Sequence, residues 1–304
     1  MPTLRPDTVR RFRPLADLVP AHWASGSTAA RDGTALHWTD TGGDGPPVVL
    51  LHGVQVDGIS WLRTARALEA AHRVVMPDVR GHGRSGRIHA PVTPQTFVDD
   101  AAIVLDAADV DDPVLIGHSM GADIAGGLAA RQAVRGLVLV DPALRPMPAA
   151  MFDVDEPPPW MAGVFDTLRA LAAQPHAERM VTGLGMLPPG GEVDWDEADY
   201  VSYVEGQSRF DVDLYRHLEP GAPLLAASPD LIAAIGCPIL LLTARPLLPG
   251  ADVDADVAAF TAHWRDGRHV HFADSGHAIP ADRFDRFVEV VTGFIAARVA
   301  GRSS

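Results

Sequence analysis

The sequence contains no lysine, a single cysteine at Cys237, and no apolar run near the roughly 20 residues needed to cross a membrane. Without a second thiol, Cys237 cannot close an intramolecular disulfide, so the fold has no oxidative staple and suits a reducing cytoplasm. Its setting, Cys237-Pro-Ile-Leu-Leu-Leu, reads as a strand, which makes it a buried structural thiol rather than a nucleophile. The N-terminal Met1-Pro-Thr-Leu-Arg-Pro carries arginine but lacks the continuous apolar core, about 7–15 residues long, of a secretory signal. Positive charge is scarce as well. The 25 basic residues, all arginine, face 39 acids, for a formal net charge of -14. That balance argues against nucleic acid as a partner, because neutralising phosphates needs a clustered cationic surface.

What is present is an ordinary globular composition, 47% hydrophobic and 21% charged over 304 residues, enough for a sizeable core. Apolar strand-like runs recur at Pro46–Leu51, Val74–Pro77, Pro113–Gly117, Arg135–Val140, Pro238–Thr243 and Arg268–Phe272. Helical spacing fills the intervals at Trp61–His72, Thr96–Ala108 and Met120–Arg131, with a last helix over Arg283–Val299. Ala35–Asp40 alternates as part of an edge hairpin. Strands alternating with helices predict an α/β fold with a mostly parallel sheet covered on both faces. From about Pro142 to Pro223 the rhythm breaks into Pro-rich and helix-like pieces. We therefore expect an N-terminal helical segment over 1–24, a core built from 25–145 and 224–304, and an inserted helical cap over 146–223. A cap at the carboxyl ends of parallel strands lies where ligands enter such sheets. Its aromatic and apolar residues, with Trp160, Met161 and Phe165 foremost, are candidates for contact with a small-molecule substrate.

Gly117-His-Ser-Met-Gly121 fits G-x-S-x-G between a predicted strand and a predicted helix, the context that pattern requires. The tight turn needs small flanking residues, exposes the hydroxyl of Ser119, and aims the N–H groups of the next helix at a developing oxyanion. A serine hydroxyl needs a base, and His277 in Asp274-Ser-Gly-His277 follows the last predicted strand at the same edge of the sheet. His52-Gly53-Val54 follows another strand, so the Val54 N–H can join that of Met120 as an oxyanion donor. Asp78-Val-Arg-Gly-His-Gly-Arg-Ser85 is a dense polar loop without Walker spacing; Arg80 and His82 are expected to organise its hydrogen bonds. The remaining histidines are scattered and show no paired metal spacing, so no metal and no cofactor is expected. A homo-oligomer stays compatible with the sequence.

The order HG after a strand, DVRGHGRS, GHSMG and a late SGH resembles the α/β-hydrolase superfamily, from about Thr28 to Ala297 with the cap excluded. The resemblance implies an eight-stranded, mostly parallel sheet and catalytic residues in the order serine, acid, histidine. Members usually carry an aspartate just beyond the strand corresponding to Pro238–Thr243, but here Leu247 stands near that place. Some members take the acid from the end of the preceding strand, which makes Asp141 the candidate and Asp252 the runner-up.

On this basis the expected activity is hydrolysis of an ester or lactone in a small organic molecule through an acyl-enzyme on Ser119. Two other readings use the same sequence. One keeps the triad for carbon–carbon bond cleavage, amide hydrolysis or cofactor-free perhydrolysis; the other is a ligand receptor without catalysis.

Overall fold

The computed structural model describes residues 9, 11–145, 153, 155, 156, 162–187, 194–218, 228–246 and 252–299. After a short helix α1 (Leu15–Leu18), strands β1 (Ala24–Ala29) and β2 (Ala35–Asp40) form an antiparallel hairpin. The chain then alternates through β3 (Val48–Leu51), α2 (Leu62–Leu68), β4 (Val74–Asp78), α3 (Pro94–Ala107), β5 (Val114–His118), α4 (Met120–Ala129) and β6 (Gly136–Val140). Helices α5 (Ala162–Leu171), α6 (His176–Leu184), α7 (Glu197–Ser208) and α8 (Leu214–His217) follow β6. The rest comprises α9 (Pro229–Ala234), β7 (Ile239–Ala244), α10 (Val253–Thr261), β8 (Gly267–Phe272), α11 (Ile279–Asp282) and α12 (Phe284–Phe294). A π turn over Ile295–Val299 follows α12, so the regular α-helix stops before the end of the helical pattern.

The eight strands lie in the order β1-β2-β4-β3-β5-β6-β7-β8, and β2 alone runs against its neighbours. Successive side chains of a strand point to opposite faces. Val49, Leu51, Leu115, Leu137, Leu139 and Leu241 therefore join one core layer. Val48, Leu50, Ile116, Val138, Val140 and Leu242 join the other. Helices α3 and α4 cover the first layer with Phe97, Val104, Ile124 and Leu128, and α2 and α12 cover the second with Leu62, Leu68, Phe287 and Val291. Each such side chain contributes about 1.5–3 kcal/mol by leaving water, which is why the apolar runs are strands with no polar face.

Register carries the fold to the site. Leu51 pairs with Gly117, His118 with Val140, and Val140 with Leu242. The carboxyl ends of β3, β5, β6 and β7 therefore line up, and the residues just beyond them meet at one edge.

Candidate active site

Ser119 sits between the end of β5 and the start of α4 with φ 53° and ψ −119°, a left-handed conformation that costs an L-residue about 1–3 kcal/mol. The turn is held by the Ser119 N–H donating to Val140 O at 2.9 Å and by Ala122 N–H donating to Ser119 O at 2.9 Å. The glycines of the motif are needed for space. A Cβ on Gly117 would lie 2.1 Å from Gly121 O, and one on Gly121 would lie 2.2 Å from Leu51 O. Met120, the first residue of α4, has an N–H with no acceptor inside the helix, so it is free to meet a negative oxygen beside Ser119.

Asp141 follows β6 and is also left-handed, at φ 44°. Its N–H donates to Leu242 O at 2.8 Å, and its Oδ1 accepts from Ala244 N–H at 2.9 Å. That leaves Oδ2 2.6 Å from His277 Nδ1. With Nδ1 donating to the carboxylate, the lone pair of the imidazole lies on Nε2. Asp252 is elsewhere: it caps α10, its Oδ1 accepting from Ala255 N–H at 3.0 Å. Leu247 lies outside the described residues. Among the described residues Ser119 Oγ makes no hydrogen bond.

Two further groups hold the histidine loop. His118 Nε2–H donates to His277 O at 2.9 Å, and the two rings stand 4.6 Å apart. Burial first, and the neighbouring His277 second, push the His118 pKa down to about 3, so it acts as a neutral donor. Asp282 is buried and accepts from Gly276 N–H at 2.8 Å and Ser275 Oγ at 3.2 Å, while Trp195 Nε1 reaches its other oxygen at 2.8 Å.

The opposite side of the serine is the loop after β3. A Cβ on Gly53 would lie 3.3 Å from Ser119 Cβ, so the loop backbone rests directly on the elbow. His52 is buried and neutral, its pKa lowered by burial. Its Nδ1–H donates to Gly53 O at 2.7 Å, and its Nε2 accepts from Val79 N–H at 3.0 Å. The Val54 N–H belongs to the same planar peptide as Gly53 C=O and points the opposite way, so pinning that carbonyl also orients that N–H. Arg80 donates to Asp100 at 2.8 Å and to Asp32 at 2.7 Å. His82 Nδ1–H donates to Arg80 O at 3.0 Å, and Nε2 accepts from Gln55 N–H at 3.3 Å.

The structure thus brings Ser119, His277, Asp141, Val54 and Met120 to one edge. Phe165 is buried inside the inserted helices, its ring 5.5 Å from Tyr215; Trp160 and Met161 lie outside the described residues. Sequence reasoning missed Asp282, His118, Gln55 and Tyr215. The position of His118 next to Ser119 was a usable signal, as was Asp282 five residues after His277; Gln55 and Tyr215 are 160 residues apart. Among the described residues no three His, Cys, Asp or Glu are grouped to hold a metal, and no helix is long and apolar enough to cross a membrane.

Residues 46–182 match the family model described as the alpha/beta hydrolase fold. The non-heme chloroperoxidase CPO-A1 of Kitasatospora aureofaciens is 34% identical over 144 residues, which is 46% of this chain and 50% of that protein. The chain spans about half the length of the curated relatives it matches. Among solved structures, the N-formylmaleamic acid deformylase of Pseudomonas putida S16 aligns with a TM-score of 0.66 at 21% identity, over 88% of this chain and 100% of that one. The enol-lactonase of Burkholderia xenovorans LB400 aligns at 0.62 and 22%, over 89% and 100%. At such identities these likenesses carry the fold. The matched segment and the whole eight-stranded sheet together show that the chain has the α/β-hydrolase fold.

Proposed function

We propose that this chain is a serine hydrolase that cleaves a carboxylic ester or lactone of a small organic molecule. The observation that carries this reading is the 2.6 Å contact of Asp141 Oδ2 with His277 Nδ1, at the sheet edge where Ser119 is held in its left-handed turn. In the first half-reaction Ser119 Oγ attacks the carbonyl carbon as His277 Nε2 takes its proton, and Asp141 stabilises the imidazolium. The negative oxygen of the tetrahedral intermediate accepts from Val54 and Met120 N–H, each donor contributing about 3–4 kcal/mol to lowering the barrier. The intermediate collapses to the acyl-enzyme as His277 returns the proton to the leaving alkoxide. Water, deprotonated by the same Nε2, then releases the acid and restores Ser119.

In this reading residues 146–223 form the cap that selects the substrate, and Phe165 shapes it from within its core. Trp160 and Met161 belong to the same proposed cap. The acidic net charge and lone cysteine support a cytoplasmic enzyme whose partner is a small molecule. The chloroperoxidase relative favours one second reading, in which hydrogen peroxide rather than water attacks the acyl-enzyme and leaves as a peroxy acid.

A fluorophosphonate probe followed by peptide mapping tests the nucleophile. One label on Ser119, lost in Ser119→Ala together with turnover of an activated ester, is the expected result. A label elsewhere on active protein overturns the assignment. Comparing acid with peroxy-acid formation in the presence of peroxide separates the two readings.

A further inference from the structure

Gln55 follows the proposed oxyanion donor Val54 and is itself left-handed, at φ 68°. It is gripped from two directions. Its N–H donates to His82 Nε2 at 3.3 Å, and its side-chain Nε2 donates to the hydroxyl of Tyr215 at 3.0 Å. The two grips are joined behind it: the His82 ring stands 4.9 Å from Phe210, and Phe210 5.6 Å from Tyr215. Tyr215 is buried and packs on Phe165 as well, so its hydroxyl is fixed by rings on two sides. Beside this closed circuit, Arg209 donates to Asp57 Oδ2 at 2.6 and 2.9 Å. A Cβ on Gly206 would come within 3.0 Å of Val56 Cα and Asp57 N. The segment 206–215, which spans the end of α7 to α8, therefore lies directly on the loop 53–57.

We propose that Tyr215 and Gln55 are positioning residues that hold the Val54 N–H at the oxyanion, making the inserted helices a working part of the catalytic support. This rests on the serine-hydrolase reading above. His52 fixes the peptide before Val54, and the Gln55 circuit fixes the chain after it. Without the Tyr215 hydroxyl, the strained Gln55 backbone relaxes and the donor drifts from the position in which it meets the developing charge. Because that interaction exists only in the transition state, its loss acts on kcat rather than on KM.

The test compares wild type, Tyr215→Phe, Gln55→Leu and the double variant with an activated ester and with phenylboronic acid, which forms a tetrahedral adduct on the serine. Loss of one neutral hydrogen bond predicts a fall in kcat of about tenfold for Tyr215→Phe, with KM within about twofold. Boronate affinity should fall by a similar factor, and the double variant should be no worse than the poorer single one. Tyr215→Phe keeps the ring that packs on Phe165 and Phe210; should it melt early, Gln55→Leu carries the same readouts. A rise in KM at constant kcat makes Tyr215 a substrate contact and overturns the proposal. So do additive losses, unchanged kcat, or boronate affinity that does not move. Wild-type protein that takes no fluorophosphonate label at Ser119 fails the hydrolase reading itself, and is recognised before any of these variants is made.

Discussion

Asp141 Oδ2 and His277 Nδ1 are 2.6 Å apart although 136 residues separate them in the chain. The contact exists because β6 and β7 are register-matched and because Asp141 leaves β6 in a left-handed turn, with Oδ1 and N–H anchored to β7. Asp141→Asn should keep the fold and lower kcat by about 10⁴, since an amide favours the wrong imidazole tautomer and cannot stabilise its cation. Asp252→Ala should leave kcat unchanged and cost about 1 kcal/mol as the lost cap of α10. Steady-state kinetics and urea unfolding of both variants check this; a crippled Asp252→Ala beside an active Asp141→Asn would reverse the assignment.

Asp282 accepts hydrogen bonds from Gly276, Ser275 and Trp195 around the loop that carries His277. Asp282→Ala leaves the Gly276 N–H and the Trp195 indole N–H without their acceptor, while Ser275 Oγ keeps Gly276 O at 2.9 Å. Stability should fall by about 3 kcal/mol, and kcat should fall with it as His277 loses its fixed position. A variant with wild-type kcat and a lowered Tm would show that Asp282 serves the fold alone.

The glycines divide by what surrounds them. Gly121→Ala pushes a Cβ into the carbonyls of Leu51 and His52, at 2.2 and 2.7 Å, and backbone cannot swing aside. We expect a loss of about 3 kcal/mol or more and a collapsed elbow. Gly293→Ala, in α12 with nothing within 4 Å, should stabilise by about 0.5–1 kcal/mol. Equal unfolding midpoints for the two variants would contradict this account.

His82 is fully buried, and burial, followed by the neighbouring His52, lowers its pKa from 6.5 to about 3. The unfolded chain takes up a proton near 6.5 while the folded chain does not, so stability is intact above 6.5 and is lost as pH falls toward 3. Between pH 7 and 5 the loss on His82 alone is about 2 kcal/mol, and His52 and His118 act in the same direction. Asp199, raised to about 6 chiefly by burial, works oppositely as pH falls from 6 to 3.8. Urea unfolding at pH 7 and 5 should therefore show lower stability at pH 5, and equal or greater stability would refute the histidine argument.

The residues most readable from sequence were those whose role is local. Ser119 needs glycines two positions away on either side, so its turn is spelled out in five consecutive letters. The apolar runs of β3, β5, β6 and β7 announce strands buried on both faces, because no polar alternation is tolerated there. Edge elements carry less signal: β1, Ala-Ser-Gly-Ser-Thr-Ala, has no apolar face and is a strand because β2 pairs with it. The left-handed backbones of Gln55 and Asp141 are invisible in sequence, since neither residue type demands that conformation. Contacts such as Gln55 with Tyr215, separated by 160 residues, belong to topology and have no local pattern.

On the proposed serine-hydrolase reading, that topology also sets when activity can begin. The nucleophile and its elbow are complete once α4 has been made, and the acid comes with the end of β6. The base arrives only with the loop after β8, the outermost strand of its edge. During synthesis the serine is therefore translated about 160 residues before the group that activates it. On that reading, a growing chain that has not yet made the loop after β8 lacks its proposed base, and turnover waits for His277.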